Sequence, residues 1–172
     1  YIGSFLSTDS AMEGRPKALV LLAGVLCRGA AGGVHPARAL LRANLTFLLR
    51  ERGFDVEVAG FDNVPPVIDG LRAPSSGGRS LFPGLIHYQS WAQSTIDASP
   101  LTSTYRALIE RANTIHTTRD KLNLARVFFL EDMAMRYLRW RALPPRSWVI
   151  LMTPDLCLFG GALNSLPETP AP

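Results

Sequence analysis

The sequence predicts an α/β fold, an open, mostly parallel Rossmann-like sheet with flanking helices, and three observations carry that expectation. Residues 18–26, ALVLLAGVL, are a continuous apolar run of strand length bounded by Pro16 and Gly29. A strand buried on both faces needs such a run, and strands of that kind belong to parallel sheets. Next, a helical stretch opening at Pro36 leads into Phe54–Val58, which alternates at period two. Strand, helix and strand in that order make a βαβ unit, whose crossover is right-handed. Finally, SWVILM at 147–152 is a further apolar strand near the end of the chain.

The elements follow in order. After the first strand, CRGAAGGVHP is a glycine-rich turn, and Pro36 suits the first helical position. The helix runs to Arg52 with Leu41, Leu45 and Leu48 on one stripe and Leu40 and Phe47 beside it. Gly53 supplies a left-handed stop. The second strand ends near Phe61-Asp62-Asn63. Residues 65–99, rich in Pro, Gly and Ser, are expected to be an irregular insertion with a short strand around 85–88. Ser99-Pro100 opens a helix carrying Tyr105, Leu108, Ile109 and Ala112. Thr117 with Asp120 caps another, whose stripe is Leu122, Ala125, Phe129, Met133 and Tyr137. Pro144-Pro145 ends it. The organisation expected is an N-terminal arm (1–16), one α/β domain (17–161) and a proline-rich tail (162–172).

Composition excludes several classes. With 47% hydrophobic and 19% charged residues, the chain has enough apolar surface to offset its entropy, which a disordered chain lacks. Its 14 Gly and 13 Pro show no collagen-like period. No uncharged apolar stretch approaches the length that spans a bilayer. Only Cys27 and Cys157 occur, so neither a disulfide scaffold nor a zinc CxxC pair is built, and a reducing compartment is the default. Both cysteines fall just past predicted strand ends on one edge of the sheet. That placement requires the two strands to be close and parallel. The opening on Tyr1 is expected of a chain whose start lies upstream or was processed away.

The net charge is +4, and Gly14 to Arg50 holds no acid while carrying Arg15, Lys17, Arg28, Arg38, Arg42 and Arg50. Such a segment attracts phosphates, acidic lipids or an acidic partner. A buried strand followed by a helix with a solvated basic face is the favoured reading. Around Trp140, Arg136, Arg139, Arg141 and Arg146 read as a solvated helix end, with a partner or nucleic acid second.

Open α/β sheets bind ligands beyond the carboxyl ends of their strands, at the switch point of strand order. Three ends are readable: Cys27-Arg28-Gly29, Asp62-Asn63 and Asp155. A carboxylate in the second place can hold a ribose or base, and one in the third a divalent cation that neutralises a diphosphate. Arg28 adds phosphate-binding capacity. Acids and glycines also end strands simply because strands end in turns, and that reading is the favoured one. G-x-G-x-x-G, the Walker pattern and G-x-S-x-G are all absent. His35, His87 and His116 lie too far apart in sequence for a paired metal motif.

Taken in order, ALVLLAGVLCRG, DVEVAGFDN, RDKLNLARVFFLEDMAMRYL and WVILMTPDLCLF resemble the nucleotide-sugar half of GT-A glycosyltransferases, nearest the fungal capsule-associated mannosyltransferase type. The resemblance spans roughly residues 17–161. It implies that Asp62 contacts the nucleoside, that Arg119 and Arg126 lie near the diphosphate, and that Asp155 coordinates Mn or Mg. The family's metal motif carries more than one acid or a neighbouring Asn, whereas 153–157 here is TPDLC. The acceptor-binding half that should follow is missing from the remaining residues.

Three functions stay open. The first is a non-catalytic accessory or structural subunit of a larger, organellar assembly, with other protein subunits as partners. Second is a metal-dependent glycosyltransferase domain of the secretory pathway using a nucleotide sugar, and third a basic RNA-associated accessory protein. The first two place the chain inside the cell or in the secretory pathway respectively.

Overall fold

The computed structural model describes residues 15–26, 46, 47, 49–68, 71, 72, 79, 84–112, 117–144 and 147–152. Strand β1 (Lys17–Gly24) is followed by helix α1, described at residues 46, 47 and 49–51, and by β2 (Asp55–Val64). A short antiparallel pair, β3 (Val67–Ile68) and β4 (Leu71–Arg72), stands apart from the main sheet. Then come β5 (His87–Ala92), α2 (Gln93–Asp97), α3 (Pro100–Ala112), α4 (Thr118–Arg141) and β6 (Trp148–Met152). The main sheet has the order β5-β2-β1-β6, and every neighbouring pair is parallel. This is the expected open Rossmann-like α/β sheet. The chain steps outward from β1 to β2 to β5 and then returns to the other side of β1, so the switch point lies between β1 and β6.

The unbroken apolar run of β1 has the predicted cause, since all six residues 18–23 are buried. Side chains alternate across a strand. Ala18, Val20 and Leu22 pack with Leu49 of α1, Phe54 and Met152. Leu19, Leu21 and Ala23 face the other way, with Phe61 of β2, Ile96 of α2 and Phe129, Leu130 and Ala134 of α4. One helix layer therefore covers each face, as in a doubly wound sheet.

Local signals set the boundaries. Gly53 has φ +84°, and the amides of Gly53 and Phe54 close on the carbonyls of Arg50 and Leu49, the C-terminal stop expected there. Thr117 caps α4 by accepting from the Asp120 amide at 3.1 Å, and its hydroxyl also meets the Asp120 carboxylate. The end of α4 falls at Ala142, whose left-handed φ of 48° turns the chain two residues before Pro144.

Four expectations need correction. Among the described residues of α1, Leu49 is buried and Phe47 is 59% exposed. Leu108 points outward from α3, where Thr102 and Ile109 are buried instead. The strand expected at 85–88 lies at His87–Ala92 and joins the main sheet, and α2 follows at once, so the end of the 65–99 stretch is regular. Finally, β6 is not buried on both faces. Val149 and Leu151 are 40% and 39% exposed, because among the described residues β6 is the edge strand and α4 packs over β1 and β2.

At the amino edge of the sheet, Glu57 binds Arg141 through both carboxylate oxygens (2.9 and 3.1 Å) and Lys17 at 3.2 Å. The Arg141 contact, one guanidinium nitrogen shared between both carboxylate oxygens, ties the end of α4 to β2, and Arg141 with Lys17 holds the Glu57 carboxyl below the usual range against the opposing cost of burial. A depressed carboxyl pKa stabilises the fold above its unfolded value of 4.5 and ceases to do so as pH falls through the lower folded value. Acid titrations of Glu57→Gln and wild type should therefore differ in stability at pH 6–7 and converge only below 4.5, as pH falls through the lowered pKa of Glu57. Parallel curves throughout would remove Glu57 from the acid response.

Candidate functional site

The carboxyl edge of the sheet, where β1 and β6 diverge, is where this topology places a ligand. Asp62 lies on the same carboxyl edge but on β2, on the other side of β1 from β6, opposite Gly24 of β1 and Ser90 of β5. Its side chain is fully buried. One oxygen accepts the backbone N–H of Leu26 at 2.8 Å, and the other accepts the hydroxyl of Tyr88 at 2.7 Å. The carboxylate thus fastens the first turn after β1 to β2 and β5. A buried anion needs such donors, and removing one leaves it uncompensated.

Residue alternation in β2 explains the direction Asp62 takes. Ala59 and Phe61 face α4. Gly60 faces the other layer, where a Cβ would come within 3.0 Å of Leu26, 3.2 Å of Leu85 and 3.3 Å of Tyr88. Glycine here lets the Tyr88 ring and the Leu26 side chain close over the strand, and Asp62, two residues on, meets the polar end of that same layer.

The basic candidates do not converge on Asp62. Arg126, on α4, forms a bidentate ion pair with Asp97 at the end of α2 (2.6 and 2.7 Å), and its remaining nitrogen reaches Asn123 at 2.9 Å. The pair fastens α4 to the segment that follows β5. Because α4 covers the opposite face of the sheet, Arg126 and Asp62 are separated by β2 itself. Arg119 is exposed on the first turn of α4. Arg28 and Asp155 lie outside the described residues, as do His35, His116 and both cysteines. The strands that lead to Cys27 and Cys157 are, as required, hydrogen-bonded parallel neighbours, with Leu22 opposite Met152.

Asp155, the residue implied to hold the cation, lies outside the described residues. Among the described residues no group of three His, Cys, Asp or Glu side chains could hold a metal ion. Both oxygens of Asp62 face hydrogen-bond donors, a setting suited to a structural anion and not to an open coordination sphere. Nor is any described helix long and apolar enough to cross a membrane.

Two residues central to this edge carry no sequence motif. Tyr88 sits in the half-polar HYQSWA, and only the lone glycine at 60 hints that a ring approaches β2. Asp97 marks the Arg126 pair and lies in a five-residue helix with no capping signal. Elsewhere, the buried Asn63 Oδ1 and Thr102 Oγ1 have no hydrogen-bond partner among the described residues. His87 stacks on Tyr137, with ring centroids 4.3 Å apart, and serves as an aromatic packing element.

No family model, no curated protein and no solved structure matches this chain.

Proposed function

We propose that the chain is a non-catalytic accessory subunit of a larger assembly, built on a Rossmann-like domain. The observation that supports this reading is the engagement of Asp62: both oxygens of the carboxylate that the resemblance assigns to a nucleoside are committed to Leu26 and Tyr88. The Asp97 pair commits Arg126 in the same way. The β6 edge adds support. WVILM contains no charge, proline or glycine, and two of its apolar side chains are about 40% exposed. Proteins protect true sheet edges with charge or proline, so an undefended apolar edge favours a covering neighbour.

Two measurements on the purified, folded chain test the reading. In isothermal titration with UDP- and GDP-sugars, with and without manganese, no heat is expected. Metal-dependent binding that vanishes in Asp62→Asn would overturn it in favour of a nucleotide-sugar domain. In sedimentation velocity the isolated chain should associate with rising concentration, and Val149→Lys should return it to monomer. A wild-type chain that stays monomeric and soluble at high concentration would leave the apolar edge with no neighbour to need.

A further inference from the structure

We infer that the amino edge of the sheet, with the end of α4, is a docking surface for single-stranded nucleic acid. This goes beyond the subunit reading and uses the opposite edge from Asp62. Parallel strands all begin on one edge, so whatever precedes each strand collects there. Asp55 donates its N–H to the Pro16 carbonyl at 2.9 Å, which sets Arg15, before β1, and Arg50 and Arg52, before β2, on that edge. β6 begins opposite Ala18, and Arg141 reaches Glu57 at 2.9 Å, so the last turn of α4 arrives at the same place with Arg139 and Trp140.

The charge there is one-sided. Arg15, Lys17, Arg50, Arg52, Arg139 and Arg141 stand against Glu51, Asp55 and Glu57, six cations to three carboxylates, in a chain whose whole net charge is +4. Two of the three acids are already held inside the edge, Glu57 by Arg141 and Lys17, and Asp55 by Lys17 at 3.9 Å. Arg15, Arg50 and Arg139 are exposed and make no ion pair among the described residues. Guanidinium groups present planar forks that match phosphate oxygens.

Trp140 identifies the strandedness. It is 78% exposed, the most exposed large apolar side chain described, and its ring rests 6.1 Å from Tyr137. Tyr137 is in turn fixed by its stack on His87, so the indole stands on a rigid base. Arg136, four residues earlier on the same helical stripe, is held by Asp132 at 2.7 Å. An exposed aromatic face next to Arg139, on an edge that also carries Arg15 and Arg50, offers a stacking platform for an unstacked base and cations for its phosphates. A duplex keeps its bases stacked and offers the indole nothing, and an acidic peptide would use the arginines alone.

The test uses the full chain with fluorescein-labelled oligo(U) and oligo(dT), read by anisotropy across a salt series, alongside a duplex of equal length and a poly-glutamate peptide. Both single strands should bind more tightly than the duplex and the peptide. Trp140→Ala should weaken single-strand binding about ten- to hundredfold while leaving the salt slope unchanged. Replacing Arg15, Arg50 and Arg139 together by Gln should reduce that slope by about 2, at about 0.7 per phosphate contact. All four residues are exposed, and circular dichroism checks that each variant keeps its fold. Equal affinity for poly-glutamate would transfer the surface to an acidic protein partner and overturn the inference. So would duplex binding as tight as single-strand binding, or a Trp140→Ala variant that binds like wild type.

Discussion

Asp62→Ala is expected to lower the unfolding free energy by about 3–5 kcal/mol, because it removes the fully buried acceptor shared by the Leu26 amide and the Tyr88 hydroxyl. The buried Leu26 amide would lose the oxygen it faces, at about 1–3 kcal/mol for such a donor, and the half-buried Tyr88 hydroxyl would lose its bond to β2. Asp62→Asn separates hydrogen bonding from volume. The amide keeps a carbonyl oxygen for the Leu26 N–H, and the tyrosine hydroxyl can rotate to accept from the new NH2 group. That variant should cost about 1–2 kcal/mol. Urea unfolding of the three proteins measures both, and amide exchange at Leu26 localises the effect to the turn after β1. A loss under 1 kcal/mol in the alanine variant, or equal losses in both, would remove Asp62 as the fastening of that turn.

The parts of this fold legible in sequence are those fixed by neighbouring residues. Residues 18–23 read as a doubly buried strand because each of them is apolar, and each proves buried. The Thr117–Asp120 cap and the Gly53 stop depend on backbone groups within four residues, so spacing alone revealed them. β5 behaved differently. HYQSWA is an edge strand with one open side, its residues are at best half-buried, and nothing in its own composition distinguishes it from the loop before it. Its place is set by pairing with β2, a tertiary constraint.

The candidate site divides along the same line. That Asp62 would end a strand at the ligand-facing edge followed from chain order. What Asp62 does there depends on partners 36 and 26 residues away in sequence, and Arg126 finds Asp97 across 29. No local pattern encodes such pairings. The two-faced geometry of β2 then decides the matter, since adjacent side chains on a strand cannot share a pocket. Asp62 meets one layer of the sheet, and the helix bearing Arg126 packs against the other.

Phe61→Ala should be nearly as damaging as Asp62→Ala, though its cause is different. Phe61 is fully buried one residue before Asp62 and faces the helical layer. Its ring lies 5.7 Å from that of Tyr137 on α4 and 5.6 Å from that of His87 on β5, so one side chain joins a central strand, an edge strand and the longest helix. Truncation removes the transfer free energy of the ring and leaves a cavity bounded by a sheet that cannot collapse into it. About 3–5 kcal/mol is the expected loss. Phe61→Leu, which refills much of the volume, should recover more than half of that. In a domain of this size each kcal/mol shifts the melting temperature by about 2–4 °C, so calorimetry resolves the two variants readily. Phe61 and Asp62 are chain neighbours whose side chains address opposite layers of the sheet, so the double variant measures how far losses on the two layers add. A strong departure from additivity would mean that the two faces of β2 are coupled through the strand, and that the turn after β1 senses how α4 is packed.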